Sequence, residues 1–179
     1  MLKNLGENNL NKVFVVFNGP SSIAYRGKLK NCYATNFAYR DFDVRAVFAV
    51  DALAVKQIEQ DNPNCEKHTK KRPWTPEGWH TRIIPGIDSG SYALETAIIE
   101  NPNSTRYVVG ADGVLKQNNK TVYQYSWRNG RQPMAFSHLR HRDSCLQIIK
   151  KYDNQVYFVA KNTDLDLQTI THEEFEKLL

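Results

Sequence analysis

Apolar residues come along this chain in short unbroken runs more than in alternation with polar ones. Residues 13–17 (VFVVF), 44–50 (VRAVFAV), 107–109 and 156–159 are runs of strand length, and 32–39 (CYATNFAY) is a more ambiguous candidate. Continuous apolarity predicts strands covered on both faces. Helical patterns fill the intervals at 51–60, 89–100, 138–152 and 171–179. In SGSYALETAIIEN, a serine-rich start precedes Tyr92, Leu94, Ala97 and Ile98, and Asn101-Pro102 marks the stop. Strands alternating with helices predict an α/β fold with a mainly parallel sheet flanked by helices. No internal repeat or low-complexity tract interrupts the pattern.

With 179 residues, 41% of them hydrophobic, the chain suits one well-filled core, so a single domain over 1–179 is expected. No window approaches 18 uninterrupted apolar residues, and the first residues hold no apolar signal core. Neither a membrane span nor a secretion signal is expected, which points to the cytoplasm. Cys32, Cys65 and Cys145 are widely separated, suit a reducing compartment and form no zinc spacing, so no metal is assigned.

The net charge of +5 changes this picture once it is located. Lys67, Lys70, Lys71, Arg72 and Arg82 stand against only Glu66 and Glu77, and Arg128, Arg131, Arg140 and Arg142 occur with no acid between them. Both segments read as irregular: a basic aromatic loop at about 61–80, and a second loop at about 114–137 expected to be mobile. In HTKKRPWTPEGWH, Lys70, Lys71, Arg72 and Trp74 interleave cations with an aromatic ring. Together with Arg128 and Arg131 they are candidates for binding a polyanionic acceptor, a phosphorylated glycan or a nucleic acid. The plainer reading is a solvated loop pinned by Trp74 and Trp79.

Open parallel sheets bind ligands beyond the carboxyl ends of their strands. Those ends deliver Asn18, Gly19, Pro20 and Ser21, then Asn36, Asp51, Ser89 with Gly90 at a helix start, and Gly110 with Asp112. Amide side chains offer donors and acceptors for a base or ribose, and a helix start offers N–H groups to an anion. The dinucleotide glycine fingerprint and the phosphate-binding P-loop are both absent. Two Asp-x-Asp triplets, Asp41-Phe42-Asp43 and Asp164-Leu165-Asp166, are read as solvated turns and not as metal-holding pairs.

Taken in order, VVFNGPSS, ATN, DSGSYALETAI, YVVGADG and FSHLRHRDSCLQIIKKYDNQVYFVAKN resemble the bacterial sialyltransferases that modify lipooligosaccharides and capsules. The resemblance covers about residues 12–162 through short motifs. It implies a single Rossmann-like, sialyltransferase-like domain that takes a nucleotide sugar of the CMP-sialic-acid kind as co-substrate and needs no metal or other cofactor. By that likeness Asn18, Gly19, Asn36, Ser89 and Gly90 would contact the cytidine nucleotide, and His138, five residues before Asp143, would be the general base. Val114 stands where the family carries a tyrosine, and Asp51 where it commonly carries asparagine. Tyr123 and Tyr125, further along the loop, could bring hydroxyls to the leaving phosphate in place of that tyrosine, or could pack as aromatics of a short strand.

Independently of the likeness, an imidazole at a loop-to-helix junction suits removal of a proton from an acceptor hydroxyl. His141, one turn later, competes with His138 for that role, whereas His68 and His80 read as surface or acceptor-facing groups in the basic loop. The expected activity is glycosyl transfer to a hydroxyl on a phosphorylated glycan or on modified DNA. A nucleotide-binding phosphotransferase or pyrophosphokinase, and a nonenzymatic nucleotide or nucleic-acid binding module, stay open as alternatives.

Overall fold

The computed structural model describes residues 11–83, 88–115, 135–152, 155–162, 164 and 166–179, without the side chains of 135–139. Eight strands are present among the described residues: β1 (Lys12–Val16), β2 (Cys32–Thr35), β3 (Val44–Phe48), β4 (Glu66–Lys70), β5 (His80–Arg82), β6 (Thr105–Val109), β7 (Val156–Ala160) and β8 (Thr169–Thr171). They form one all-parallel sheet in the order β5-β4-β3-β2-β1-β6-β7-β8. Helices α1 (Ala52–Asp61), α2 (Ser89–Glu100), α3 (Ala135–Tyr152) and α4 (His172–Glu176) complete an α/β fold of Rossmann-like character, with 3₁₀ turns at Pro20–Tyr25 and Ala38–Arg40. No helix among the described residues is long and apolar enough to cross a membrane.

The unbroken apolar runs follow from burial on both faces. Val13 and Val15 of β1 join Phe48, Val108 and Phe158 under Tyr92, Leu94 and Ile98 of α2 and Cys145 and Ile148 of α3. On the opposite face Val16 meets Ala34, Val109, Val159, Tyr25 and Phe175 of α4. Val47 turns to a third cluster with Ala54, Val55 and Ile58 of α1 and Trp79. Helix ends follow local chemistry. Asp88 caps α2 by accepting from the Ser91 N–H at 3.0 Å, and Asn62 ends α1 in the left-handed region at φ 43°. Thr171 and Glu174 form a reciprocal capping box on α4.

Several expectations need correction. The segment expected as a basic loop contains β4 and β5, with His68 and Thr69 buried. EKHTK has no aliphatic or aromatic run to mark a strand; pairing with β3 and the rings of Phe48 and Tyr92 supply its setting. Residues 32–39 divide into β2 and a 3₁₀ turn. Helix α3 starts at Ala135, so His138 belongs to the first turn of a helix rather than opening it after a loop. Val114 and Leu115, placed in the mobile loop from the sequence, are buried in the core with α2 and α3. The final helix is shorter than 171–179, because Thr171 ends β8 and caps α4.

Candidate functional site

The chain leaves β1 toward β2 and leaves β6 toward β7, in opposite directions across the sheet, so the boundary between β1 and β6 is its topological switch point. Here the two strand ends bond to each other. Phe17 N–H donates to Val109 O at 2.9 Å and Gly19 N–H to Gly110 O at 2.8 Å. Asp112 Oδ2 accepts from the Ser21 N–H at 3.2 Å and the Ser21 hydroxyl at 2.8 Å. Pro20 opens the 3₁₀ turn, and the Ser22 hydroxyl closes it onto Gly19 O at 2.8 Å. Gly19, Pro20, Ser21, Gly110 and Asp112 therefore build a clasp between two loops, with Asp112 and Ser21 engaged with each other.

Beside that clasp, the ends of β1, β2 and β3 meet the start of α2. The Ser89 hydroxyl donates to Asn36 Oδ1 at 3.3 Å and accepts from the Val50 N–H at 3.2 Å. Asn36 occupies the left-handed region at φ 47°, which asparagine tolerates better than most residues, and its N–H donates to Phe48 O at 2.9 Å. Gly90 lets α2 approach β1: a Cβ there would lie 2.8 Å from the Phe17 ring. The next residue is Asn18, 7% exposed, whose side-chain oxygen is buried with no hydrogen-bond partner among the described residues. A buried carbonyl left in that condition costs roughly 1–3 kcal/mol.

Charge gathers at the same edge. Burial holds the Lys70 ammonium below its ordinary pKa; Arg72 and Arg140 act in the same direction, and Asp88 and Asp51 oppose them. Lys70 is the last residue of β4, at its carboxyl end. Asp51 is exposed at the start of α1 and makes no side-chain capping bond. Lys71 N–H donates to Arg82 O at 3.0 Å, and Arg72 N–H to the Thr75 hydroxyl at 2.9 Å, so the turn after β4 is ordered by its own backbone. Trp74 is half-exposed. It lines a groove of about 370 Å³ with Leu53, Lys56 and Pro76 on the flank of α1. Trp79 is buried and donates to Glu59 at 2.6 Å, pinning the segment as the plainer reading expects.

Two contacts orient α3. Ser91 Oγ lies 3.8 Å from Cys145 Sγ, and farther along both helices Glu95 Oε1 accepts from Tyr152 OH at 2.9 Å. Helices α2 and α3 therefore run side by side in the same direction. His138 precedes Cys145 by two turns, about 10 Å of helical rise, which carries it past the first turn of α2 on the carboxyl side of the sheet. Its side chain lies outside the described residues, as do Tyr123, Tyr125, Arg128 and Arg131 in full. His141 is half-buried on the same helix.

Both Asp-x-Asp triplets are engaged in ion pairs. Asp41 pairs with Arg26 at 2.8 Å and Asp43 lies 3.8 Å from Lys30. Arg142, buried in α3, holds Asp164 at 2.6 Å and Asp166 at 2.8 Å and donates to Val114 O at 2.9 Å, tying α3 to the segments after β6 and β7. The bond from Arg142 holds the Asp164 carboxyl well below its ordinary value, at about 2. An unfolded aspartate titrates near 3.9, so this pairing stabilises the fold fully above that pH and is lost as pH falls through about 2. A loss of roughly 2 kcal/mol is expected across that window. Urea midpoints read down to about pH 2 should fall more steeply for the wild type than for Asp164→Asn, and equal slopes would refute the assignment.

Asp88 and Arg140 both act on Lys70, though in the sequence Arg140 stands out only for its charge and Asp88 has no assigned role. The signal for Asp88 was its place directly before a serine-glycine helix start, an N-cap position. In comparison with protein-family models, curated proteins and solved structures, the chain matches none.

Proposed function

We propose that this protein is a cytoplasmic glycosyltransferase that moves a sugar from a nucleotide donor, of the CMP-sialic-acid kind, to an acceptor hydroxyl. The observation that carries the reading is the buried side-chain oxygen of Asn18, without a hydrogen-bond partner among the described residues, beside Asn36, Ser89, Gly90 and the start of α2. A nucleotide amino or hydroxyl group would satisfy that oxygen. Of the four N–H groups that a helix start leaves without intrahelical partners, Asp88 takes that of Ser91, and those of Ser89 and Gly90 suit a phosphate. Lys70, Lys71 and Arg72 fringe the edge where a phosphorylated glycan or DNA acceptor would arrive.

In the proposed reaction the acceptor oxygen forms a bond to the anomeric carbon while the bond from that carbon to the donor phosphate oxygen breaks. His138 takes the hydroxyl proton, and the departing nucleotide carries away the electron pair and the negative charge. Tyr123 and Tyr125 are assigned to that charge on the strength of the sequence and its resemblance to the sialyltransferases, and Arg128 and Arg131, read as acceptor-binding, could also stabilise it electrostatically. The engaged Asp-x-Asp triplets fit a route in which no metal bridges the donor.

Asn18→Ala separates a ligand group from a structural one. Removing a partnerless carbonyl should leave the urea midpoint of the free protein unchanged or higher, while calorimetric affinity for cytidine nucleotide sugars falls by roughly 1–3 kcal/mol. Equal donor affinity in the two proteins would take Asn18 out of the site. Incubating the full chain with cytidine and uridine nucleotide sugars and with nucleoside triphosphates tests the class of reaction. Release or transfer of sugar supports this reading. Pyrophosphate or phosphoryl transfer would replace it with a phosphotransferase, and binding without turnover would replace it with a binding module.

A further inference from the structure

Away from the carboxyl edge, three ligand-bearing side chains converge on one face of the sheet. Glu66 and His68 lie two residues apart on β4 and so share a face, and His80 of β5 is the direct register partner of His68. One carboxylate oxygen and one ring nitrogen from each histidine all lie within 4.8 Å of one another. The imidazoles stack with centroids 4.7 Å apart and planes at 21°. His68 Nε2 is 3.4 Å from Glu66 Oε2, at the long limit of a hydrogen bond, so that contact leaves both atoms room for a stronger partner.

The setting favours a cation. His68 is buried and fixed, stacked on Phe48 at 4.4 Å and edge-on to Tyr92 at 6.0 Å, while Glu66 and His80 are exposed and free to adjust. Glu100 acts on His68 as well as Glu66 does, and Arg45 divides its charge between those carboxylates, 3.9 Å from Glu66 and 3.2 Å from Glu100. Arg82, the next cation along β5, lies 3.8 Å from Glu95.

We propose that Glu66, His68 and His80 bind a borderline divalent transition-metal ion, with Zn²⁺ the best fit, and that the ion fastens the three-residue strand β5 to β4. Two imidazoles and one carboxylate suit that class, whereas Mg²⁺ and Ca²⁺ prefer all-oxygen ligands. Ligand atoms around zinc sit about 3.3 Å apart for bonds of about 2.0–2.1 Å, so atoms now within 4.8 Å of one another close by up to about 1.5 Å, and the exposed His80 ring turns out of its stack on His68 to point a lone pair at the ion. Water from the exposed side completes the coordination. Sequence spacing does not announce such a site, because its ligands come from two strands whose register only the fold sets.

The proposal is independent of glycosyl transfer and is tested on the full chain after chelator treatment and dialysis. Titration with Zn²⁺ should show one ion per chain, and Co²⁺ should give the visible absorption of a site with nitrogen ligands. His80→Ala and Glu66→Gln change exposed side chains that the core does not need. Each should weaken binding at least about tenfold, since even the loss of an outer partner of a metal costs 10–100-fold. Zn²⁺ should raise the melting temperature of the wild type and not that of His80→Ala. Absence of stoichiometric binding, or wild-type affinity in both variants, would overturn the site.

Discussion

Gly110→Ala is expected to destabilise the protein by roughly 3 kcal/mol or more through the clasp at the switch point. Two penalties coincide there. Gly110 sits at φ +73°, a conformation that costs an L side chain about 1–2 kcal/mol. A Cβ would also lie 2.4 Å from Phe17 O and 2.9 Å from Ser22 Cβ, and forcing a methyl into such space costs about 1–3 kcal/mol more. Gly78 supplies the control. It has a similar φ of +82° but nothing within 4 Å of its Cβ position, so Gly78→Ala reports the dihedral cost alone. Urea unfolding of the two variants separates the penalties. If Gly110→Ala loses no more stability than Gly78→Ala, the clasp is not the close junction described.

The second large effect is chemical. His138→Ala should keep donor binding and lose glycosyl transfer by about 10²–10⁴-fold, the scale of general-base assistance. Its place two turns before Cys145 on α3 puts residue 138 on the carboxyl side of the sheet, and its five-residue spacing to Asp143 is the spacing the sialyltransferase likeness requires. His141→Ala should be milder. The wild-type pH profile should carry a limb near neutrality, where imidazoles ordinarily titrate, and the variant should lack it. Transfer at the wild-type rate would move the base to His141 or Asp51, because Asp112 already accepts from Ser21.

The sheet could be read where both faces of a strand are buried, since VFVVF and the run ending at Val109 leave little else to be. Strands β4, β5 and β8 escaped because EKHTK, HTR and TIT are short and carry polar or charged residues. The candidate site divides in the same manner. That Asn18, Ser89 and Gly90 would gather at one edge was legible because they follow or precede clear apolar elements, and Asn36 joins them although its own strand was ambiguous. Gly19, Ser21, Gly110 and Asp112 share that composition and also bond across the clasp, a role that sequence does not announce because a small polar residue after a strand looks the same whether it meets a ligand, a neighbouring loop or both. Only the pairing of β1 with β6 reveals the clasp.

That pairing also sets the order in which the molecule can assemble. As the chain grows, β2, β3, β4 and β5 follow β1 and extend the sheet on one side only. The other side of β1 waits for β6, whose register joins Lys12 to Thr105 and Val16 to Val109. Until then KVFVV presents a row of unpaired backbone groups flanked by apolar side chains, which is the kind of edge that captures another chain. Closing so distant a parallel pair is slow compared with the local steps before it. In an assembly that follows the order of synthesis, the centre of the finished sheet is its exposed margin until β6 arrives, and pairing with other copies would compete with the strand that covers it.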